Sequence, residues 1–189
     1  PMSINRSIAD LLRSHATIPT AAQFANWTQS SGHLTPDNAT YGVHLGVATA
    51  TAANLLDDYE TGAWTCSLLG SSANPTTARN GAGTYVKVGD LVYVFLTGIT
   101  GDTTGASGNV ILSGLPFATA PAGHTTGQVI WHNVGTLSGG SDVVNLALYS
   151  QTTTSFQIYG TKSAAGWAIA THNAGSVDRI IYMTAVYST

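Results

Sequence analysis

From about Ala39 to the C-terminus the sequence is a succession of short apolar runs, each broken by a cluster of Gly, Asn, Thr and Ser. Short runs bounded by turn residues read as strands, and their spacing is that of an all-β sandwich or barrel. Strands are predicted near 41–47, 63–69, 83–88, 91–98, 109–114, 127–134, 143–149, 154–160 and 178–187. The clearest hairpin joins TYVKV to LVYVFLTGI through Gly89-Asp90, a two-residue turn whose first central residue takes a positive φ. No repeat of 20 to 50 residues is present, which argues against a solenoid or propeller.

Two of these strands constrain the architecture further. In LVYVFL, Leu91, Tyr93 and Phe95 occupy one face while Val92, Val94 and Leu96 occupy the other; in RIIYMTAVY, Ile180 and Tyr182 oppose Ile181 and Met183. A strand with one wet face should alternate apolar and polar. Both faces of these strands call for burial, and with little helix to cover a sheet the expected cover is another copy of the chain. The alternative is an unusually apolar central strand covered by the N-terminal helices.

Composition narrows the function. Only 8% of the 189 residues are charged, the net charge is -3, and the six Lys and Arg are scattered singly. Multiple phosphate contacts cannot be assembled from them, so nucleic acid is not an expected partner. No apolar run approaches the ~20 residues of a membrane span, so membrane insertion is not expected, and no signal-peptide pattern is visible. Cys66 stands alone in the sequence and, two residues after Trp64, reads as a small buried apolar group on the same face of a strand.

The N-terminus has a different texture. Ile4, Ile8 and Leu11 fall at helical spacing over residues 3–15, and Thr20 to Gln23 forms a capping-box pattern for a second short helix to about Gln29. The domain reading is an N-terminal helical segment with an extended linker strand over 1–54, followed by a β-domain over 55–189.

Within LLDDYETGAW, three carboxylates (Asp57, Asp58, Glu60) fall in four positions. Glycosidases use two carboxylates about 5 to 10 Å apart, so this group is a candidate acid pair. Adjacent side chains on an extended stretch point apart, which leaves only Asp58 and Glu60 able to converge. The structural reading fits the neighbours better: Asp side chains accept from nearby backbone N–H groups to lock a turn, Gly62 permits a conformation closed to other residues, and Trp64 anchors the following strand. Tyr59 completes this turn and subunit-contact element.

Other chemistry is sparse. The six His make no zinc-binding spacing, no Gly-X-Ser-X-Gly elbow is present, and the Gly-rich stretches precede no helix. No cofactor and no metal are expected. Carbohydrate is bound by stacking its C–H faces on Trp and Tyr while amides and hydroxyls take its hydroxyl groups. Trp131, His132, Asn133, Tyr159, Trp167, His172 and Asn173 are the residues that could do so, expected on loops and strand ends.

GVHLGVATATAANLLDDYETGAWTC resembles a segment recurrent in bacteriophage tail fibre and tail tip proteins, in which Asp-Asp-Tyr-Glu-X-Gly-X-Trp opens a β-rich domain. GTYVKVGDLVYV is similar to that family's next hairpin, and VILSGLPFATA to its Gly-Leu-Pro-Phe strand end. The closing strand IIYMTAVYST is similar in character; Cys66 stands where a Pro often follows Trp-Thr, and the helices of 3–30 have no counterpart.

The resemblance implies a homotrimeric receptor-binding tip. The fold expected is an antiparallel, jelly-roll-like β-sandwich preceded by short N-terminal helices. Its expected role is adhesion to a host surface polysaccharide without bond cleavage, with Ile4, Ile8 and Leu11 attaching it to a phage tail or baseplate protein. Such a protein is a virion tail component assembled in the host cytoplasm. The rival readings are a polysaccharide depolymerase and a purely structural tail or capsid decoration protein.

Overall fold

The computed structural model describes residues 27–30, 33–36, 43–44, 55–56, 58–120, 126–137, 143–152, 154–163, 165–173 and 179–189. The chain divides into two units, Pro1–Asp57 and Asp58–Thr189. In the first, β1 (Trp27–Ser30) pairs antiparallel with β2 (His33–Pro36), and β3 (Val43–His44) with β4 (Leu55–Leu56). Trp27 to Gln29, expected as the end of the second helix, are therefore strand; the remainder of both expected helices, with Ile4, Ile8 and Leu11, lies outside the described residues.

The second unit contains β5 (Tyr59–Gly70), β6 (Arg79–Val88), β7 (Leu91–Gly101), β8 (Val110–Ser113), β9 (Thr126–His132), β10 (Gly135–Leu137), β11 (Val143–Thr152), β12 (Ser155–Lys162), β13 (Ala165–His172) and β14 (Arg179–Ser188). All pairings are antiparallel, and the described residues of this unit contain no helix.

The expected sandwich is corrected to a closed barrel. Strand order runs β12-β11-β9-β14-β7-β6-β5-β8, and β8 pairs again with β12. The four-residue β8 is the keystone: Leu112 lies opposite Leu68 of β5 on one edge and Phe156 of β12 on the other. Closure removes the free edges that two open sheets would leave. The remaining part of the β12 edge carries β13, which carries β10. β10 and β13 fall in two separate stretches, 135–142 and 161–177, where no strand was expected.

Period-two alternation then sorts the side chains. Trp64, Cys66 and Leu68 of β5, Val92, Val94 and Leu96 of β7, Phe156 and Ile158 of β12, and Ile181, Met183 and Tyr187 of β14 fill the interior. Cys66 is fully buried as expected, and burial pushes its thiol up to about 12, which removes the thiolate needed for reactivity.

Two glycines make this packing work. Gly83 lies opposite Trp64 in register, and a Cβ there would come within 2.3 Å of the indole Nε1, which donates to the Phe95 carbonyl at 3.3 Å. Gly98 (φ 141°) sits in a β-bulge where β7 slips by one residue against β14, so Ile99 turns inward after the even-numbered run. The Gly89-Asp90 turn has the expected positive φ, 55° at Gly89.

Candidate functional site

The three sequence segments that carry the phage resemblance meet at one mouth of the barrel. Asp58 and Glu60 come from the LLDDYETGAW stretch, Tyr85 and Lys87 from the first arm of the hairpin, and Phe117 from Gly-Leu-Pro-Phe. Lys87 is nearly buried, forms an ion pair with Asp58, and holds its ammonium 5.6 Å from the centre of the Phe117 ring. Tyr85 donates its hydroxyl to Glu60 and packs edge-on against Phe117 with ring centres 5.2 Å apart. The Glu60 hydrogen bond, with smaller contributions from burial and the carboxylate charge, raises the pKa of Tyr85.

Phe117 is also held from the closing strand. The Tyr187 hydroxyl donates to the Phe117 carbonyl at 3.1 Å and accepts from its N–H at 3.4 Å. Burial pushes Tyr187 up to about 12, although the hydrogen bond it accepts from the Phe117 N–H works in the other direction.

This arrangement corrects the expected local turn lock. Asp57 lies outside the described residues, and Asp58 and Glu60 are held across strands by Lys87 and Tyr85 rather than by the backbone one or two residues on. The Asp58 carbonyl also accepts from the Gly89 N–H at 2.8 Å. Gly62 has no left-handed φ; a Cβ there would come within 2.7 Å of the outer end of the Tyr85 ring, which would have to shift. Trp64 is buried as expected, and Tyr59 is 67% exposed.

The seven aromatic and amide residues singled out for ligand contact fall into two groups. His172 and Asn173 sit at the other end of the barrel, where the Asn173 N–H donates to the Val134 carbonyl at 3.1 Å. Asn133, at φ 58°, places its amide 3.3 Å from the exposed His132 ring. Trp131 packs against the core and His172 fastens the end of β13: its Nε2–H donates to the Leu69 carbonyl at 2.9 Å and its N–H to the Gly108 carbonyl at 2.8 Å. Burial lowers the pKa of His172, opposed in part by the Leu69 bond. Trp131 and His172 are thus committed to structure.

Tyr159 and Trp167 form the second group, joined by Tyr149, which had not been singled out. Their positions on β12, β13 and β11 place the three on the outer wall. Trp167 lies 5.0 Å from Tyr159 at 33° and 5.9 Å from Tyr149 at 78°, and Tyr149 meets Tyr159 at 5.5 Å and 73°. The indole is nevertheless 63% exposed. Two half-buried tyrosines therefore hold one open aromatic ring in place, with Gln157 within reach of the Tyr159 hydroxyl at 3.4 Å. The pattern Tyr149, Tyr159, Trp167 has no sequence periodicity; it arises because three neighbouring strands present outward positions together.

Among the described residues no cluster of His, Cys, Asp and Glu could hold a metal ion. No protein-family model and no curated protein matches the chain. It is similar to a solved structure of the reovirus attachment protein sigma1 in complex with alpha-2,3-sialyllactose, at 16% identity over 86% of this chain and 85% of that one, with a TM-score of 0.32. An overlap that low supports no argument about fold or binding, so the chemistry rests on the residues themselves.

Proposed function

We propose that this chain is an attachment protein of the phage tail fibre or tail tip class, which adheres as a homotrimer to a host surface polysaccharide without cleaving it. The observation that carries the reading is the braced, open indole of Trp167. A sugar presents apolar C–H groups on one face and hydroxyls around its rim; a fixed aromatic plane takes the first, and amide and hydroxyl neighbours such as Gln157 take the second. Because Tyr149 and Tyr159 already fix the ring, little side-chain entropy is lost when ligand arrives.

Of the candidate acid pair, Asp58 is held by Lys87 and Glu60 by Tyr85, which supports adhesion over cleavage. Attachment to a tail or baseplate protein through Ile4, Ile8 and Leu11 belongs to the same proposal.

A glycan array with the full chain tests it. Binding is expected to fall by about tenfold per site on Trp167→Ala, the loss of roughly 1.4 kcal/mol from one stacked aromatic contact, with the fold retained and stability lowered by about 1 to 2 kcal/mol through the lost contacts with Tyr149 and Tyr159. Unchanged binding by Trp167→Ala would remove the proposed site. New reducing ends from host glycan that vanish on Glu60→Gln would instead favour the depolymerase. Failure to bind any susceptible cell or glycan would favour a structural tail component.

A further inference from the structure

The wall formed by β6, β7, β14 and β9 carries a second surface, distinct from the Trp167 platform. Its outward residues include Leu91, Tyr93 and Phe95 of β7, Tyr182 and Val186 of β14, and Ile130 of β9, all exposed. Register makes them contiguous: Val86, Tyr93 and Val186 lie side by side across three strands, and Tyr182 lies opposite Ile130. No Lys, Arg, Asp or Glu points outward among the described side chains of these strands.

Large apolar side chains expose roughly 150 to 250 Å² each when free, so the wall offers on the order of 800 Å², more than the usual largest patch of a monomer. That is about what each partner contributes to an interface of standard size. The wall also carries both halves of a self-complementary contact. Ile130, 72% exposed, projects from it, and beside Ile130 a notch of about 210 Å³ opens between Phe95, Tyr182 and Thr184.

We infer that this wall is the surface on which copies of this chain pack together, Ile130 of one entering or flanking the Phe95 and Tyr182 notch of the next. The absence of outward charge gives a charged partner nothing to select, whereas an identical chain supplies matching apolar area, projection and notch. The barrel order places β14 and β7 across from β8 and β12, so Trp167, on β13 beyond β12, lies away from the β7 and β14 centre of the wall, while Tyr149 on β11 lies one strand from Ile130 on β9. The use of Trp167 for ligand belongs to the adhesion reading; the contact itself does not rest on it.

Light scattering of the full chain is expected to give about three times 19.4 kDa, unchanged over a hundredfold dilution. Ile130→Asp is expected to give a monomer that keeps its near-UV circular dichroism, while Thr77→Glu, in an exposed loop between β5 and β6, leaves the assembly intact. Should Ile130→Asp fail to fold, Ile130→Thr with Val186→Thr must weaken assembly on dilution. A monomeric wild type, or an Ile130→Asp protein that keeps its full mass, overturns the inference; a dimer lost on Ile130→Asp upholds the surface and corrects the threefold.

Titration with oligosaccharides hydrolysed from purified host surface polysaccharide separates this from the adhesion reading. Monomeric Ile130→Asp is expected to bind them as tightly per site as wild type. If neither binds, adhesion fails and the contact stands; if both bind but the mass is monomeric throughout, the contact fails and adhesion stands.

Discussion

Lys87 shows how one residue can organise a region that its sequence position does not reveal. Its side chain is 11% exposed and its partner Asp58 47% exposed, so the two ends of this ion pair are not equivalent. Removing Asp58 strands an ammonium in the barrel mouth, whereas removing Lys87 leaves a carboxylate that water can reach. Asp58→Ala is expected to cost about 1 to 2 kcal/mol, below the usual figure for a broken buried pair because Asp58 is half solvated. Lys87→Met, which keeps the stem against Phe117, is expected to stay within about 1 kcal/mol of wild type. Urea titration of the two variants measures the asymmetry. In sequence, Lys87 and Asp58 are 29 positions apart and look like two unrelated surface charges.

At the scale of elements, β13 is where local reading fell short and where a pH dependence is expected. AGWAIATH has few β-branched residues and a Gly, so its composition reads as loop; pairing with β12 and β10 overrides that weak preference. Its end is fastened by His172, which must be neutral on Nδ1 while Nε2–H reaches the Leu69 carbonyl. Since burial holds its folded pKa below the unfolded value of about 6.5, the unfolded chain binds more protons in that interval. Stability supplied by this contact is therefore complete above about pH 6.5 and lost as pH falls toward the lower folded pKa. The thermal midpoint is expected to decline from pH 7 to pH 5, and less steeply in His172→Gln; equal slopes would assign the decline to other groups. By contrast, β7 was legible because LVYVFL is an unbroken run of apolar, mostly β-branched and aromatic residues directly after the Gly89-Asp90 turn, although the reversal at Gly98 that turns Ile99 inward was not.

For the whole molecule, the two outer surfaces make different demands. The apolar wall needs a partner with the same pattern, and the indole of Trp167 needs solvent access. The barrel sets Trp167 across from the β7 and β14 centre of the wall, which serves both. In the proposed trimer, three outward platforms are expected to hold a dense glycan surface 10²- to 10⁴-fold more tightly than a single platform holds free oligosaccharide, provided the spacing allows simultaneous contact. Surface plasmon resonance of wild type against the Ile130→Asp monomer on an immobilised polysaccharide reads that ratio; a ratio near one would mean the sites cannot act together.

The sequence by itself determined that residues 55–189 form antiparallel strands around a core, that Cys66 and Trp64 belong inside, and that β7 and β14 present apolar side chains on both faces. Each follows from period-two spacing and turn residues, which are local. Only the tertiary structure decided between sandwich and barrel, because that depends on whether the four residues of β8 pair with β5 alone or also with β12, more than 40 positions further on. It likewise decided which aromatics meet: Tyr149, Tyr159 and Trp167 share a surface through strand register, a property that belongs to the pairing of segments and to none of them singly.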